Sequence, residues 1–369
     1  MSETISHPVL NIQNLRTYFY AHSKQSFVRA VDGVSLQVGQ RETVGVVGES
    51  GSGKSVAAMS VMGLVGAGPG VISGSIHFAN ASVHQNLLAG LENFVHVEEV
   101  NSRVMAVKKD EKGWQKANEK LMQNLRGKEI AMIFQNPQSS LNPFITIGVQ
   151  ITEAIRLHTT YKSLKEARER ALHWLEQVKI DSPRLRFDSY PSAMSGGMCQ
   201  RAMIAMALSS EPSLLIADEP TTGLDSTTQS KIVDLIEELK SETGISSLII
   251  SHDIHVISRL ADKVAVMYGG AVVEYGSAAK VLDMATNVKH PYTAALLASV
   301  PSEQKIREKA SMQIIEGDVL DTINVPAGCR FHERCNQMTT AIKQNCLTRH
   351  PDLYEVESGH QIRCWRFAS

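Results

Sequence analysis

The chain has 369 residues, with 37 basic and 38 acidic side chains, a formal net charge of -1, 43% hydrophobic and 20% charged residues. Such a length buries one large core with extensions, or two separate cores. The near-neutral balance excludes a dedicated nucleic-acid binder, which carries a basic excess, and a charge-rich disordered chain.

In chain order, residues 1–15 lack a basic segment followed by an apolar one, so no secretory signal is expected. Residues 8–19 read as a strand, and 42–47 as a second. After it comes Gly48-Glu-Ser-Gly-Ser-Gly-Lys-Ser55, a phosphate-loop pattern between a strand and a helix. Its glycines (Gly48, Gly51, Gly53) let the backbone curl so that successive N–H groups, with Ser50 and Ser52, face an anion. The following helix adds its positive end. Lys54 is expected on the β- and γ-phosphates, and the Ser55 hydroxyl on Mg²⁺. Residues 55–76 are uncharged and long enough to span a bilayer, yet glycines and a proline break them at 66–70. They read as a buried core helix followed by a loop.

Residues 80–126 are polar and weakly periodic, and read as a surface insertion, partly helical. A strand at 130–134 ends at Gln135, a candidate for metal or water. Helical patterns cover 147–157, 164–179, 197–208 and 227–241, so that 136–210 reads as a helical segment inserted into a sheet domain. Within it, Ser195-Gly-Gly197 opens a helix and forms a second anion cradle. The apolar run 213–217 leads to Asp218 and Glu219, one acid placed for metal and the next for polarising water as a general base. The apolar run 246–250 leads to His252, placed to hydrogen-bond a γ-phosphate or water. A further strand is expected at 263–268. Together these predict an α/β domain with a largely parallel sheet.

Four of the five cysteines (Cys329, Cys335, Cys346, Cys364) fall in the irregular last 41 residues. Clustered cysteines in a chain with no secretory signal suggest a metal centre more than disulfides. The spacing lacks the paired C-x2-C of structural zinc sites. Four thiolates suit a 4Fe–4S cluster, while zinc with His332 or His350, or free thiols, remain as alternatives.

Two phosphate devices in one chain resemble the nucleotide-binding subunit of ATP-binding cassette (ABC) transporters. The likeness runs from about residue 8 to 285: phosphate loop, Gln135, Met194-Ser-Gly-Gly-Met198, the acid strand, Leu224-Asp225 and His252 appear in family order. It implies a P-loop, RecA-like ABC fold with an inserted helical subdomain. ATP would lie between the phosphate loop of one subunit and Ser195, Gly196 and Gly197 of its partner, with Asp225 beside it. The metal shell falls to Ser55, Asp218 and Gln135, and catalysis to Glu219, His252 and Gln135. Phe19 matches the aromatic that stacks on adenine, with Tyr18 and Tyr20 as rivals. The segments 133–143, 290–297 and 328–335 resemble the oligopeptide/dipeptide importer branch, whose members sharing this tail carry a 4Fe–4S cluster. That branch implies an Mg-dependent ATP hydrolase on the cytoplasmic face of the plasma membrane, peripheral to it. It works with two transmembrane permease subunits, a second, similar ATPase subunit in a heterodimer, and an external solute-binding protein, without nucleic acid. The cargo would be di- or oligopeptides, with nickel chelates and similar solutes as the alternative and a soluble, non-transport ABC ATPase as the remoter one. Two domains follow: 7–285, the ATPase, and 286–369, a cysteine-containing C-terminal module. The signature reads MSGGM rather than LSGGQ and is followed by Cys199. The insertion at 80–126 is roughly twenty residues longer than the resemblance implies for the branch.

Overall fold

The computed structural model describes residues 7–100, 103–161, 163–300 and 315–368. The first six residues of the N-terminal stretch lie outside this set. Fourteen strands occur among the described residues: β1 Leu10–Ala21, β2 Ser26–Val38, β3 Thr43–Val47, β4 Pro69–Ala79, β5 His84–Asn86, β6 Val95–Val100, β7 Arg103–Lys109, β8 Ile130–Ile133, β9 Leu214–Asp218, β10 Ser246–Ile250, β11 Lys263–Tyr268, β12 Ala271–Ser277, β13 Tyr354–Glu357 and β14 His360–Ile362.

The main sheet has the order β13-β14-β12-β11-β3-β10-β9-β8. Its five strands from β11 to β8 run parallel, and β12, β14 and β13 extend it antiparallel. Apolar runs make this possible because both faces are covered. In β9, Leu214 and Ile216 enter one core while Leu215 and Ala217 enter the other. The period of two in a strand separates them, and each such leucine or isoleucine contributes about 1.5–3 kcal/mol on full burial.

The expected helices form at Ile147–His158, Leu164–Gln177, Gly196–Leu208 and Ser226–Thr243. Ser163, Ser195 and Asp225 cap three of them by accepting backbone N–H groups of Glu166, Met198 and Thr228. The first expected strand does not join the parallel sheet. It pairs instead with β2 and β4 in an antiparallel sheet of order β2-β1-β4-β5. After the helix Lys54–Val61, the expected loop is largely strand β4, because its turn-forming Pro69 and Gly70 sit at the strand's start rather than across it. The insertion holds the helix Glu111–Met122 and also the β6–β7 hairpin, which lies over Tyr18. Among the described residues no helix is long and apolar enough to cross a membrane.

Past residue 286 the chain stays joined to the main sheet. Glu274 and Tyr275 of β12 pair with Ile362 and Gln361 of β14. The fully buried Glu274 carboxylate accepts the His290 N–H and lies 2.9 Å from His360 Nε2. Buried carboxylates persist where they are paired in this way.

Candidate functional site

The parallel strands carry their polar residues to one edge of the sheet, where β3, β8, β9 and β10 end. Open α/β sheets bind ligands at this edge, beyond the carboxyl ends of the strands. After β3 the chain turns through Gly48–Gly53 into the helix Lys54–Val61. Gly53 has φ +98°, and a Cβ there would come within 2.0 Å of the Ala30 carbonyl oxygen, so no other residue fits. Lys54 is buried, and its Nζ donates to the carbonyl oxygens of Gly48 (2.8 Å) and Glu49 (2.9 Å). Burial lowers its pKa, opposed by the charges of Glu219, Asp218 and Glu49. The cation is therefore held among carbonyls that a phosphate could replace.

Ser55, on the first turn of that helix, donates its hydroxyl to Asp218 Oδ1 at 2.9 Å. Asp218, the last residue of β9, is buried, and desolvation raises its pKa. Glu219 follows with φ +48°, a left-handed conformation that costs a non-glycine residue about 1–3 kcal/mol and marks functional sites. Its carboxylate accepts from Gln135 Nε2 (2.9 Å) and Thr222 Oγ1 (2.8 Å), and lies 3.2 Å from His252 Nδ1. Burial pushes its pKa up, but the hydrogen bonds from Thr222 and His252, with the charges of His252 and Lys54, outweigh this and leave it below the usual range. Gln135 and His252 are exposed, so the group opens outward from a buried lysine and aspartate.

The six residues Gln135, Lys54, Ser55, Asp218, Glu219 and His252 thus meet, although 198 positions separate the outermost (252 minus 54). Ser195, Gly196 and Gly197 do not join them. They begin the helix Gly196–Leu208, with Ser195 exposed and Gly197 against Thr228 next to Asp225. Asp225 is likewise exposed and tied to Thr228 N at 3.0 Å, which holds its carboxyl below the usual range. Cys199 turns inward, fully buried, with its thiol 3.5 Å from the Pro191 carbonyl and its pKa raised by burial. Of the three aromatics, Tyr18 is buried and donates its hydroxyl to Asp32 at 2.6 Å, Tyr20 is exposed, and Phe19 is half-buried beside Pro69 of β4.

Thr222 was not foreseen, though a hydroxyl three residues after the second acid is readable in Glu219-Pro-Thr-Thr222. Three further residues have no local signal. Tyr292 Oη accepts the Glu49 N–H at 2.8 Å, while Arg334 grips the Glu49 carboxylate and Arg330 the Asp32 carboxylate.

The expected iron–sulfur cluster is not borne out. Cys329, Cys335, Cys346 and Cys364 do line one cavity, but its volume is about 10 Å³, and among the described residues no three His, Cys, Asp or Glu side chains are grouped to hold a metal ion. Desolvation raises all four thiols, Cys329 to about 12 and Cys364 to about 11. All five cysteines are free. The four in the tail pack as small apolar groups near Phe331 and Trp365.

Comparison with known proteins supplies the context. Residues 31–222 match the family described as "ABC transporter", and 273–341 match "oligopeptide/dipeptide transporter, C-terminal region". The chain is 40% identical over 360 residues to the oligopeptide transport ATP-binding protein AppD of Bacillus subtilis (strain 168), covering 97% of each. It is 39% identical over 359 residues to the dipeptide transport ATP-binding protein DppD of Escherichia coli (strain K12), covering 96% of each. Among solved structures, a dimeric bacterial ABC transporter cassette superposes with a TM-score of 0.55 at 24% identity, over 73% of this chain and 98% of that one. A dimeric cassette in a post-hydrolysis state bound to ADP and Pi gives 0.54 at 23% identity, over the same shares of the two chains.

Proposed function

This chain belongs to the ABC transporter family, as an ATPase subunit of the oligopeptide/dipeptide importer branch, and from that premise we propose how its own residues hydrolyse ATP and what they serve. The observation that carries the reading is the junction of Lys54, Ser55 and Asp218 with the Gln135–Glu219–His252 group at one edge of the sheet.

Lys54, leaving the Gly48 and Glu49 carbonyls, binds the β- and γ-phosphates together with the amides of Gly48, Ser50, Gly51, Ser52 and Gly53. Phe19 stacks on adenine. The family implies Mg²⁺ with the nucleotide, and two hard oxygens, the Ser55 hydroxyl and the buried Asp218 carboxylate 2.9 Å from it, fit that ion. Ser55, Asp218 and Gln135 would hold it. Bound there, it neutralises charge on the phosphate oxygens. Glu219 is ionised and fixed by Thr222 and Gln135, so its carboxylate orients a water and takes its proton. His252 bonds the γ-phosphate and, through Nδ1, keeps the Glu219 carboxylate in place.

Ser195, Gly196, Gly197 and Asp225 complete the site of a partner ATPase subunit, most simply in a heterodimer with a similar chain. The exposure of Ser195 and Asp225 supports this assignment. The helices between residues 136 and 210 form the inserted helical subdomain. It carries the exposed side chains of Phe144, Leu157 and Leu185, a surface suited to the cytoplasmic segments of two permease subunits. The domains run 7–285 for the ATPase and 286–369 for the four-cysteine C-terminal module. The cargo class is di- or oligopeptides, delivered by an external binding protein, and the chain is peripheral on the cytoplasmic face of the membrane.

The test is Glu219→Gln. The expected variant binds MgATP as wild type does and hydrolyses it about 10²–10⁴-fold more slowly, the range of a lost general base. Turnover at the wild-type rate would remove Glu219 from the role of base.

A further inference from the structure

Glu49 is an awkward residue to find inside a phosphate loop. Its carboxylate sits close enough to Lys54 to contribute to the charge field at that ammonium. A bare carboxylate here would repel the triphosphate and compete for the cation that binds it. The structure does not leave it bare. Arg334 Nη1 donates to Glu49 Oε2 at 2.8 Å and Nη2 to Oε1 at 3.0 Å, the two-pronged geometry that fits a carboxylate best. The Arg334 side chain is only 4% exposed.

Arg334 is itself fixed. Its Nε donates to the Glu316 carbonyl at 3.0 Å, and its guanidinium lies 5.7 Å from the Tyr268 ring centre and 5.9 Å from that of Phe331. Tyr292, tilted against the same two aromatics, accepts the Glu49 N–H. The Glu49 carbonyl in turn holds Lys54. Every polar group of Glu49 is therefore engaged, two of them by residues more than 240 positions away in sequence. A second arm is parallel: Arg330, in the same turn, donates to Asp32 (2.7 Å) and to the Gly269 carbonyl, while the next residue, Gly270, donates its N–H to Ser52 O (3.1 Å).

We propose that Arg334 is a positioning residue of the nucleotide site, through which the C-terminal cysteine-bearing turn neutralises Glu49 and holds the phosphate loop open to ATP. The inference rests on the ATPase reading above and deepens it. It gives residues 329–335 a task in nucleotide binding. Because Arg334 touches neither the reacting phosphate nor the water, it acts on affinity and not on the chemical step.

The experiment is MgATP binding and steady-state ATP hydrolysis by the full-length chain carrying Arg334→Gln. The apparent Kd and KM are expected to rise about tenfold while kcat stays within about twofold, because uniform binding is lost and transition-state contacts are not. Adding Glu49→Gln to that variant removes the exposed charge and is expected to restore affinity to within about threefold of wild type, the non-additivity of a contacting pair. Arg334→Lys, keeping the charge without the fork, falls between. Wild-type affinity in Arg334→Gln overturns the proposal, and so does a loss that Glu49→Gln does nothing to recover, since Arg334 would then be supporting the turn alone. A wild-type chain that bound no MgATP would sink the ATPase reading and this inference together.

Discussion

The chain contains two glycine-bearing helix N-termini proposed to bind phosphate, and they differ in how much of the molecule surrounds them. The phosphate loop is enclosed: Lys54 and Ser52 are buried, and Asp218, Tyr292 and Arg334 approach it from three other segments. The Ser195–Gly197 start lies against Thr228 and Leu224, and Ser195 faces outward. An anion site that must work within one chain acquires tertiary partners that hold its charges. On the reading proposed above, the second site acts on a neighbouring ATPase subunit, and an open surface suits that role.

The largest expected effect tests the enclosed end. Lys54→Ala removes the buried cation, and MgATP hydrolysis should fall by about 10³-fold, with binding lost at micromolar nucleotide, since charge-assisted contacts in a closed site carry the most energy. Near-normal binding in that variant would mean the phosphates lie elsewhere. A smaller effect is expected at the open end. In Gly197→Val the new Cβ meets Thr228 Cγ2 at 2.6 Å, so the helix start must shift. Turnover of the assembled transporter should fall about 10- to 100-fold, as misplacement by an ångström does. The isolated chain should lose far less of its MgATP affinity. Equal losses in both measurements would contradict the division between the two ends.

The mildest effect concerns the brace of the enclosed end. His290 caps the helix that carries Tyr292, accepting the Tyr292 N–H at Nδ1, and burial, then the Arg363 charge, hold its pKa down to about 3. The folded state keeps this ring neutral where the unfolded chain protonates it, near 6.5. Between those values the unfolded state binds more protons, so stability rises with pH and is lost as the pH falls below about 6.5. By pH 5 the loss from this group is about 2 kcal/mol. Thermal melts of wild type between pH 7 and 5 should show it, and His290→Asn should flatten that dependence. An unchanged slope would show that other groups set it.

How far the sequence could be read depended on how local each signal was. Ser195 announced the helix it opens, because a cap needs only residues within four positions, whereas the caps at Ser163 and Asp225 were not read in advance. The apolar runs that became β9 and β10 were legible for a similar reason, being covered on both faces. β4 was not, since its proline and glycines read as a break and only pairing with β1 makes them a strand. The cysteines misled for a related reason. Their number and clustering suggested a cluster of iron and sulfur, but whether they converge on a metal-sized space depends on how the tail packs.

The sequence by itself determined the phosphate-loop pattern, the acid pair at the end of an apolar strand, the two glycine-bearing helix starts, and the family these motifs share. Each of those is written in contiguous residues whose backbone geometry follows from glycine, serine and strand periodicity. Only the tertiary structure decided that Gln135 and His252 meet on Glu219, that Cys199 points inward, and that Arg334 and Tyr292 reach back to Glu49. These are pairings of charge and hydrogen-bond partners across tens to hundreds of residues, and such partners are chosen by the packing of the sheet and not by any spacing along the chain.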